Sequence, residues 1–252
     1  MTIDNGFGQI TTLHPFQKLQ AKLAKLIADT PAGDRLPAEP ELAKQLGVSR
    51  ATLREGMRAF EGQGLIRRRQ GVGTFVVPQA KIIETGLEVL ESIERLANRI
   101  GLSVSMGALQ VKDVLSTPED SEKLQVEEGI HLVEVSRVIY AENRPVAFLT
   151  DLLPPQILTE KDLKTGFNGS VLDFLLERGN LKLSKSFTDI QAVASPADIA
   201  KKLEIQRGDV LLLFSARLYS TAGSIVDFST SYFLPGYFRF HVVRSVNNTI
   251  TM

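Results

Sequence analysis

The chain has 252 residues and no cysteine, with 43% hydrophobic residues, 23% charged residues and a formal net charge of zero. That length allows two hydrophobic cores. The composition excludes disulfides, thiolate metal sites and thiol nucleophiles, and no apolar run nears the roughly 18 residues of a membrane-spanning helix.

The charge is uneven. Residues 11–78 hold 11 Lys and Arg against 6 Asp and Glu, and residues 79–252 hold 18 against 22. A basic head on an acidic body suits a head that binds phosphates. The start lacks the basic-then-apolar pattern of a secretion signal, so a cytoplasmic protein is expected.

Residues 1–14 carry little signal. Leu19, Leu23, Leu26 and Ile27 then recur at helical spacing and predict a first helix over 16–28. Pro31-Ala32-Gly33-Asp34 reads as a turn, and Arg35 at its end is a candidate phosphate contact or an ordinary surface charge. Leu42, Ala43 and Leu46 predict a second helix over 39–46, with Pro37 ahead of it and Gly47 as its stop. Ser49 is the expected N-cap of a third helix. There Leu53, Met57 and Phe60 form the inward stripe, which leaves Arg50, Thr52, Arg54 and Arg58 facing out.

Such a pair of helices, with arginines on the outer face of the second, suits the DNA major groove. Arg bonds guanine bidentately or holds phosphate, and Thr contacts a base edge or the thymine methyl. Ser49, Arg50, Thr52 and Arg54 lie at the helix end that reaches bases first. Next, β-prone Leu65-Ile66 and Thr74 to Val77 flank Arg67-Arg68-Arg69-Gln70-Gly71-Val72-Gly73. This is a hairpin whose glycines allow a tight turn and whose arginines are expected at a phosphate backbone or in the minor groove.

Residues 15–78 resemble the DNA-binding head of the GntR family of bacterial transcription regulators. The resemblance rests on Leu36-Pro37-Ala38-Glu39, Glu41-Leu42-Ala43, Val48-Ser49-Arg50, Thr52-Leu53-Arg54, Gly64-Leu65-Ile66 and Gly71-Val72-Gly73-Thr74-Phe75-Val76. It implies a winged helix-turn-helix in which Arg50 and Arg54 contact bases or phosphates, Ser49 and Thr52 assist, and the tip at Gly71 enters the minor groove. Arg35, Arg58, Arg69, Gln70 and Gly73 complete the candidate interface. Pro40 departs from the family, many of whose members carry Arg there, so that backbone contact is absent.

Pro78 ends the wing, and a polar joint follows at Gln79-Ala80-Lys81. Helical periodicity returns with Leu87, Leu90, Ile93 and Leu96, predicting one amphipathic helix over 82–100 with Glu88, Glu91 and Glu94 on another face. The body then contains an internal repeat. Thr117-Pro118 opens a segment ending at Gly129, and Ser195-Pro196 opens its echo ending at Gly208. Each copy predicts a hydroxyl N-cap, Pro at the first helical position and acids in the first turn. Strands follow in both, over 130–140 and 210–219, with return strands ending near Leu153-Pro154 and Leu234-Pro235. Two copies are too few for a solenoid, and predict two halves of one antiparallel domain with a cleft between them.

Residues 85–245 resemble the UTRA effector domain of the HutC subgroup of that family, through Gly101-Leu102-Ser103, Gly129, Arg137 with Tyr140, Pro145, Leu153-Pro154, Gly169-Ser170 and the stretch 232–240. The resemblance implies a chorismate-lyase-like fold that binds a small effector. It points to Ser170 at a helix N-terminus, Arg137 as a guanidinium clamp, Asp227 as a partner for a hydroxyl or amine, and Tyr232 as pocket lining. Members that bind sugar phosphates usually carry a second Arg two residues after the first, where this chain has Ile139. They usually carry a Glu in the following strand, where it has Leu149. A mono-anionic or partly apolar metabolite is therefore expected.

The reading is an α+β chain of two domains. These are a winged helix-turn-helix over 11–78, a linker over 79–90, and a chorismate-lyase-like antiparallel sheet with helices over 91–245. It is expected to act as a homodimeric repressor of a palindromic operator, without cofactor or metal. The alternatives are an enzyme of chorismate-lyase-like fold and an all-helical metal-binding body. Three scattered histidines and the absence of a nucleophile–base signature weigh against both.

Overall fold

A computed structural model describes residues 15–69, 71–77, 82–164 and 167–244. The chain divides into two compact units, 1–79 and 80–252.

The first unit holds three helices, α1 (Pro15–Asp29), α2 (Glu39–Leu46) and α3 (Arg50–Gly62), then a hairpin of β1 (Ile66–Arg69) and β2 (Gly73–Val76). The predicted stripes form its core: Leu19 and Leu23 of α1 pack with Leu42 of α2 and with Leu53, Met57 and Phe60 of α3. A methyl group at Gly56 would sit 3.1 Å from both Leu19 and Leu23, so this glycine sets how closely α3 approaches α1. Gly47 closes α2 at φ 68°, and the Ser49 hydroxyl caps α3 by accepting from Thr52 N–H.

The wing differs from expectation in one respect. β1 runs on through the three arginines, so they alternate across the ribbon instead of facing one way together. Arg68 lies half-buried between Glu39 and Glu61, at 3.5 and 3.9 Å, and is removed from the exposed basic surface.

The second unit opens with a correction. In place of one helix over 82–100 the chain forms β3 (Ile83–Gly86), a break, and then the short α4 (Ile93–Arg99). Ile83 and Thr85 are buried while Glu84 is exposed, which is the period of a strand. β3 pairs in parallel with β11 (Phe238–His241), about 155 residues away, and no local pattern announces so distant a partner. Ser92 then caps α4 through its hydroxyl. Part of the segment expected as a linker is thus built into the second unit.

The rest is an antiparallel sheet with helices. It contains β4 (Val104–Met106), β5 (Gln110–Leu115), β6 (His131–Ala141), β7 (Arg144–Leu153), β8 (Leu183–Ala194), β9 (Val210–Ser220) and β10 (Ile225–Phe233). The order is β4-β6-β7-β10-β9-β8, with β5 also on β6. Helices α5 (Pro118–Leu124), α6 (Val171–Arg178) and α7 (Ala197–Lys202) pack on it.

The repeat is real, and its hydrogen bonds recur at a constant offset. Ser116 N–H donates to Ile130 and its carbonyl accepts from Gly129. Ser195 does the same with Asp209 and Gly208. Val126 N–H bonds the Ser121 carbonyl as Ile205 bonds Ala200. Gln125 and Glu204 both stand in the left-handed region, at φ 57° and 54°. This alignment pairs Ser116 with Ser195 and so moves the prolines out of step. Thr117 forms a capping box with Asp120 and Pro118 follows at the first turn. In the second copy Pro196 itself occupies the cap, and the expected Ser195 side-chain cap is not made. The two halves join through the β7–β10 ladder, so what lies between them is the face of one continuous sheet.

Left-handed backbone strains any side chain that is not glycine, by about 1–2 kcal/mol. Gln125→Gly and Glu204→Gly should each raise stability by about 0.5–1 kcal/mol, after the added freedom of the unfolded chain is subtracted. Urea unfolding of the single variants reads this directly; destabilisation by both would contradict the shared turn geometry.

Candidate functional site

In the first unit, Arg50, Thr52, Arg54 and Arg58 are all exposed on α3, as the stripe predicts. They are held differently. Arg54 Nε lies 2.7 Å from Glu39 Oε2, and Glu39 is only 17% exposed, so a carboxylate rooted at the start of α2 braces this guanidinium across the helix pair. Arg58 pairs with Glu55 one turn away on the open surface, a contact of little energetic weight. The Ser49 hydroxyl stands 2.8 Å from that of Thr52 while it caps the helix, which fixes both side chains at the end of α3 that leads.

On the wing, Arg69 is exposed, with its guanidinium 5.4 Å from the centre of the Phe75 ring. Gly71 is exposed at φ 74°, a turn conformation that suits glycine. Gly73 stands at φ 139°, again a conformation that suits glycine, and the Arg35 side chain lies against its backbone. Arg35 is therefore part of the wing surface, and its backbone bridges to Phe75. Gln70 lies outside the described residues.

In the second unit, strand register decides which candidates meet. Arg137 stands opposite Leu149, and Asp151 opposite Ser229. Alternation then puts Arg137, Asp151, Ser229 and Asp227 on one face of the sheet. There they form a buried cluster. The Arg137 guanidinium is 3% exposed and is engaged twice, with the Asp151 carboxylate and the Gly169 carbonyl. Asp227 lies beside this pair. Burial, then the negative charge of Asp151, pushes its carboxyl well above the usual carboxylate range.

Two helix starts close over the cluster. Ser170 is buried and caps α6 by accepting from Asp173 N–H. Asp173, itself buried, accepts from the Ser92 hydroxyl at 2.6 Å and lies 2.8 Å from Arg95 Nε. A Cβ on Gly169 would stand 2.9 Å from Glu94 Oε1, so this glycine lets the carboxyl of α4 approach. Burial raises the pKa of Glu94, and Arg137 partly opposes the shift.

Arg137, Ser170 and Asp227 are thus brought together, and Tyr232 is not. Tyr232 stands opposite Phe148, one step out of phase with the Arg137 and Leu149 positions, and so projects from the opposite face. Its hydroxyl pKa is raised by burial and by Asp198 of α7. Alternation along the strand therefore removes Tyr232 from the expected pocket.

Sequence reasoning also missed Asp151, Asp173, Ser92 and Glu94. Asp151 was visible as a lone acid inside the apolar run of β7. Asp173 was visible as the fourth residue of a Ser-x-x-Asp helix start. Glu94 is not visible because the apolar spacing over 82–100 imitates one helix, with this acid on another face. The departures Ile139 and Leu149 do lie where expected: Ile139 is buried, and Leu149 stands directly across from Arg137.

Residues 99–239 match the model of the UTRA domain, and residues 16–76 match that of the bacterial regulatory proteins of the gntR family. The chain is 29% identical over 194 residues to the histidine utilization repressor of Pseudomonas aeruginosa, covering 75% of this chain and 74% of that protein. It is 26% identical over 214 residues to the transcriptional repressor NagR of Bacillus subtilis, covering 85% of each. Among solved structures, PhnF from Mycobacterium smegmatis superposes with a TM-score of 0.62 at 22% identity. That match spans 91% of this chain and all of PhnF, a likeness of fold.

The raised pKa of Asp227 carries a consequence for stability. An acid that binds its proton more tightly when folded lends stability below its unfolded pKa and loses it as pH rises through the folded pKa. Asp227→Asn cannot ionise and escapes that loss. Its thermal midpoint should therefore gain on the parent as pH rises from the ordinary carboxylate range toward the raised folded pKa of Asp227; a difference that stays constant with pH would show that Asp227 is not so shifted.

Proposed function

Because this chain belongs to the gntR family of bacterial regulatory proteins and carries a UTRA domain, we propose that it is a cytoplasmic repressor that binds a palindromic operator as a homodimer and yields to a small-molecule effector. The family is one of transcription regulators, which sets the enzyme alternative aside. Among the described residues no helix is long and apolar enough to cross a membrane.

The observation that carries the DNA reading is the leading end of α3. Arg50, Thr52 and the braced Arg54 are exposed together on a helix whose inward stripe is fully committed to the core. A guanidinium already held in place loses less freedom on binding a base edge, so bracing favours specific contact. Ser49, Arg58, Arg69, Gln70, Gly71, Gly73 and Arg35 would extend the interface to neighbouring phosphates and the minor groove. Two heads related by a twofold axis would read two half-sites.

The effector would bind on the sheet face of Arg137, Ser170 and Asp227. Leu149 and Ile139 stand where a more polar pocket would carry charge. We therefore read the ligand as bearing at most one negative charge, and glucosamine 6-phosphate should not bind in calorimetry. An effector that alters operator affinity must bind the two DNA-affinity states unequally, and the coupling is reciprocal.

With a duplex selected from a random pool, Arg54→Ala should weaken binding about ten- to a hundredfold, the loss of one bidentate base contact, while leaving thermal unfolding cooperative. Affinity should also fall steeply with added salt as phosphate-bound counterions are released. Anisotropy titrations give both results, and unchanged affinity in the variant would remove Arg54 from the interface.

A further inference from the structure

The sheet face that carries Arg137 holds more acid than base. Four carboxyls approach one another there: Asp151 on β7, Asp227 on β10, Asp173 on α6 and Glu94 on α4. Two guanidiniums answer them, and both are engaged. Arg137 bonds Asp151 and the Gly169 carbonyl. Arg95 lies against Asp173, which also accepts from Ser92.

Asp227 remains. It is 5% exposed, and its Oδ1 has no hydrogen-bond partner among the described residues. A buried oxygen left without a donor is destabilising. Ser229 and Ser231 continue the same face beside it, half-buried and neutral. Both guanidiniums are already spent on carboxylates, so neither is free to neutralise an incoming anion.

We propose that the effector carries a protonated nitrogen, an ammonium or guanidinium, whose N–H groups bond Asp227 Oδ1, the carboxyl oxygen that neither guanidinium reaches. The proposal rests on the reading of this domain as the effector-binding one, and it names the ligand's chemical class. A carboxylate elsewhere on the same molecule is compatible with it, since such a zwitterion has a single negative group.

Proton accounting follows. In the free protein burial and Asp151 make Asp227 hold its proton more tightly than an ordinary carboxyl does. A cation seated at Oδ1 favours the carboxylate, so binding releases up to one proton to solvent. The charged groups that act on Asp227 are Asp151 on the adjacent β7 and Arg137 on β6 beyond it; the same two act on Glu94 of α4, which Asp173 of α6 also faces. Glu94 also holds its proton more tightly than usual and works in the same direction. Affinity therefore rises with pH, up to tenfold per unit for one proton released, until the ligand's own nitrogen loses its charge.

The test uses the full chain and matched sets of small molecules. Each set shares one carbon skeleton and contains the amine, the amino acid, the deaminated acid and the alcohol, at about 10 mM in thermal unfolding. Molecules bearing ammonium or guanidinium should raise the midpoint, and the deaminated acids and alcohols should not. Asp227→Asn should abolish the response. If that variant does not unfold cooperatively, calorimetry of the unaltered protein in two buffers of different ionisation enthalpy should read a proton release of up to one per ligand. Stabilisation by the acids without the amines, a response that survives Asp227→Asn, or no proton release overturns the nitrogen-bearing ligand and leaves the effector domain standing. If neither these sets nor a wider set with sugar phosphates and nucleotides moves the midpoint or the DNA affinity, both readings fall.

Discussion

A guanidinium buried beneath two helix starts constrains everything around it. Arg137 has left water, and the loss of solvation is repaid only if its donors meet acceptors in good geometry. Asp151 supplies one acceptor and the Gly169 carbonyl another. The second contact fixes the backbone just ahead of α6, which fixes Ser170 as its cap and Asp173 in its first turn. Asp173 in turn holds the Ser92 hydroxyl, and Ser92 is the cap of α4. One ion pair in the sheet thus sets where two helices begin. Removing either partner would leave a buried charge unmatched, at a cost of about 3–5 kcal/mol, which is more than any single cap in the unit contributes.

The two halves of the internal repeat carry this chemistry unequally, Arg137 and Asp151 in the first and Asp227 in the second. Turns and left-handed residues recur in both halves, because they hold the hairpins in register. The polar cluster does not recur. Arg137 pairs with Leu149 as Ala216 pairs with Ser229, so the counterpart of Arg137 in the second half is Ala216. By the same register Asp151 corresponds to Ser231, and Asp227 corresponds to Ala147. Small and neutral side chains stand wherever the other half has charge. A scaffold needs no such asymmetry, whereas a site for one ligand molecule does.

Where the sequence was readable, the cause was local. The stripes of the head, the Ser49 cap and the Gly47 stop each depend on residues a few positions apart, and the structure places them as their spacing requires. The strands following the two repeat segments were readable for the same reason. Failure came where the partner is remote. β3 is a strand because β11 lies beside it, and Leu87, Leu90 and Ile93 imitate helical spacing across its end. Tyr232 was assigned to the wrong face because a resemblance transfers positions and not the parity of a strand. Arg137 was expected as a free clamp because its partner, Asp151, sits on the next strand among apolar neighbours.

That pairing changes what the site can recognise. A guanidinium already neutralised in the sheet is a poor receptor for an anion, so under the proposal above recognition would fall to Asp227. It also bears on transmission. α4 contributes Ser92, Glu94 and Arg95 to the cluster. Together with β3 it is the first structure the chain forms after the head. Arg137 and Asp151 act on both Asp227 and Glu94, so a ligand seated at Asp227 would reach through that pair the helix nearest along the chain to the DNA-reading unit. No chain of contacts through the rest of the sheet is needed for that first step, and the coupling energy is bounded by how differently α4 is held in the two states.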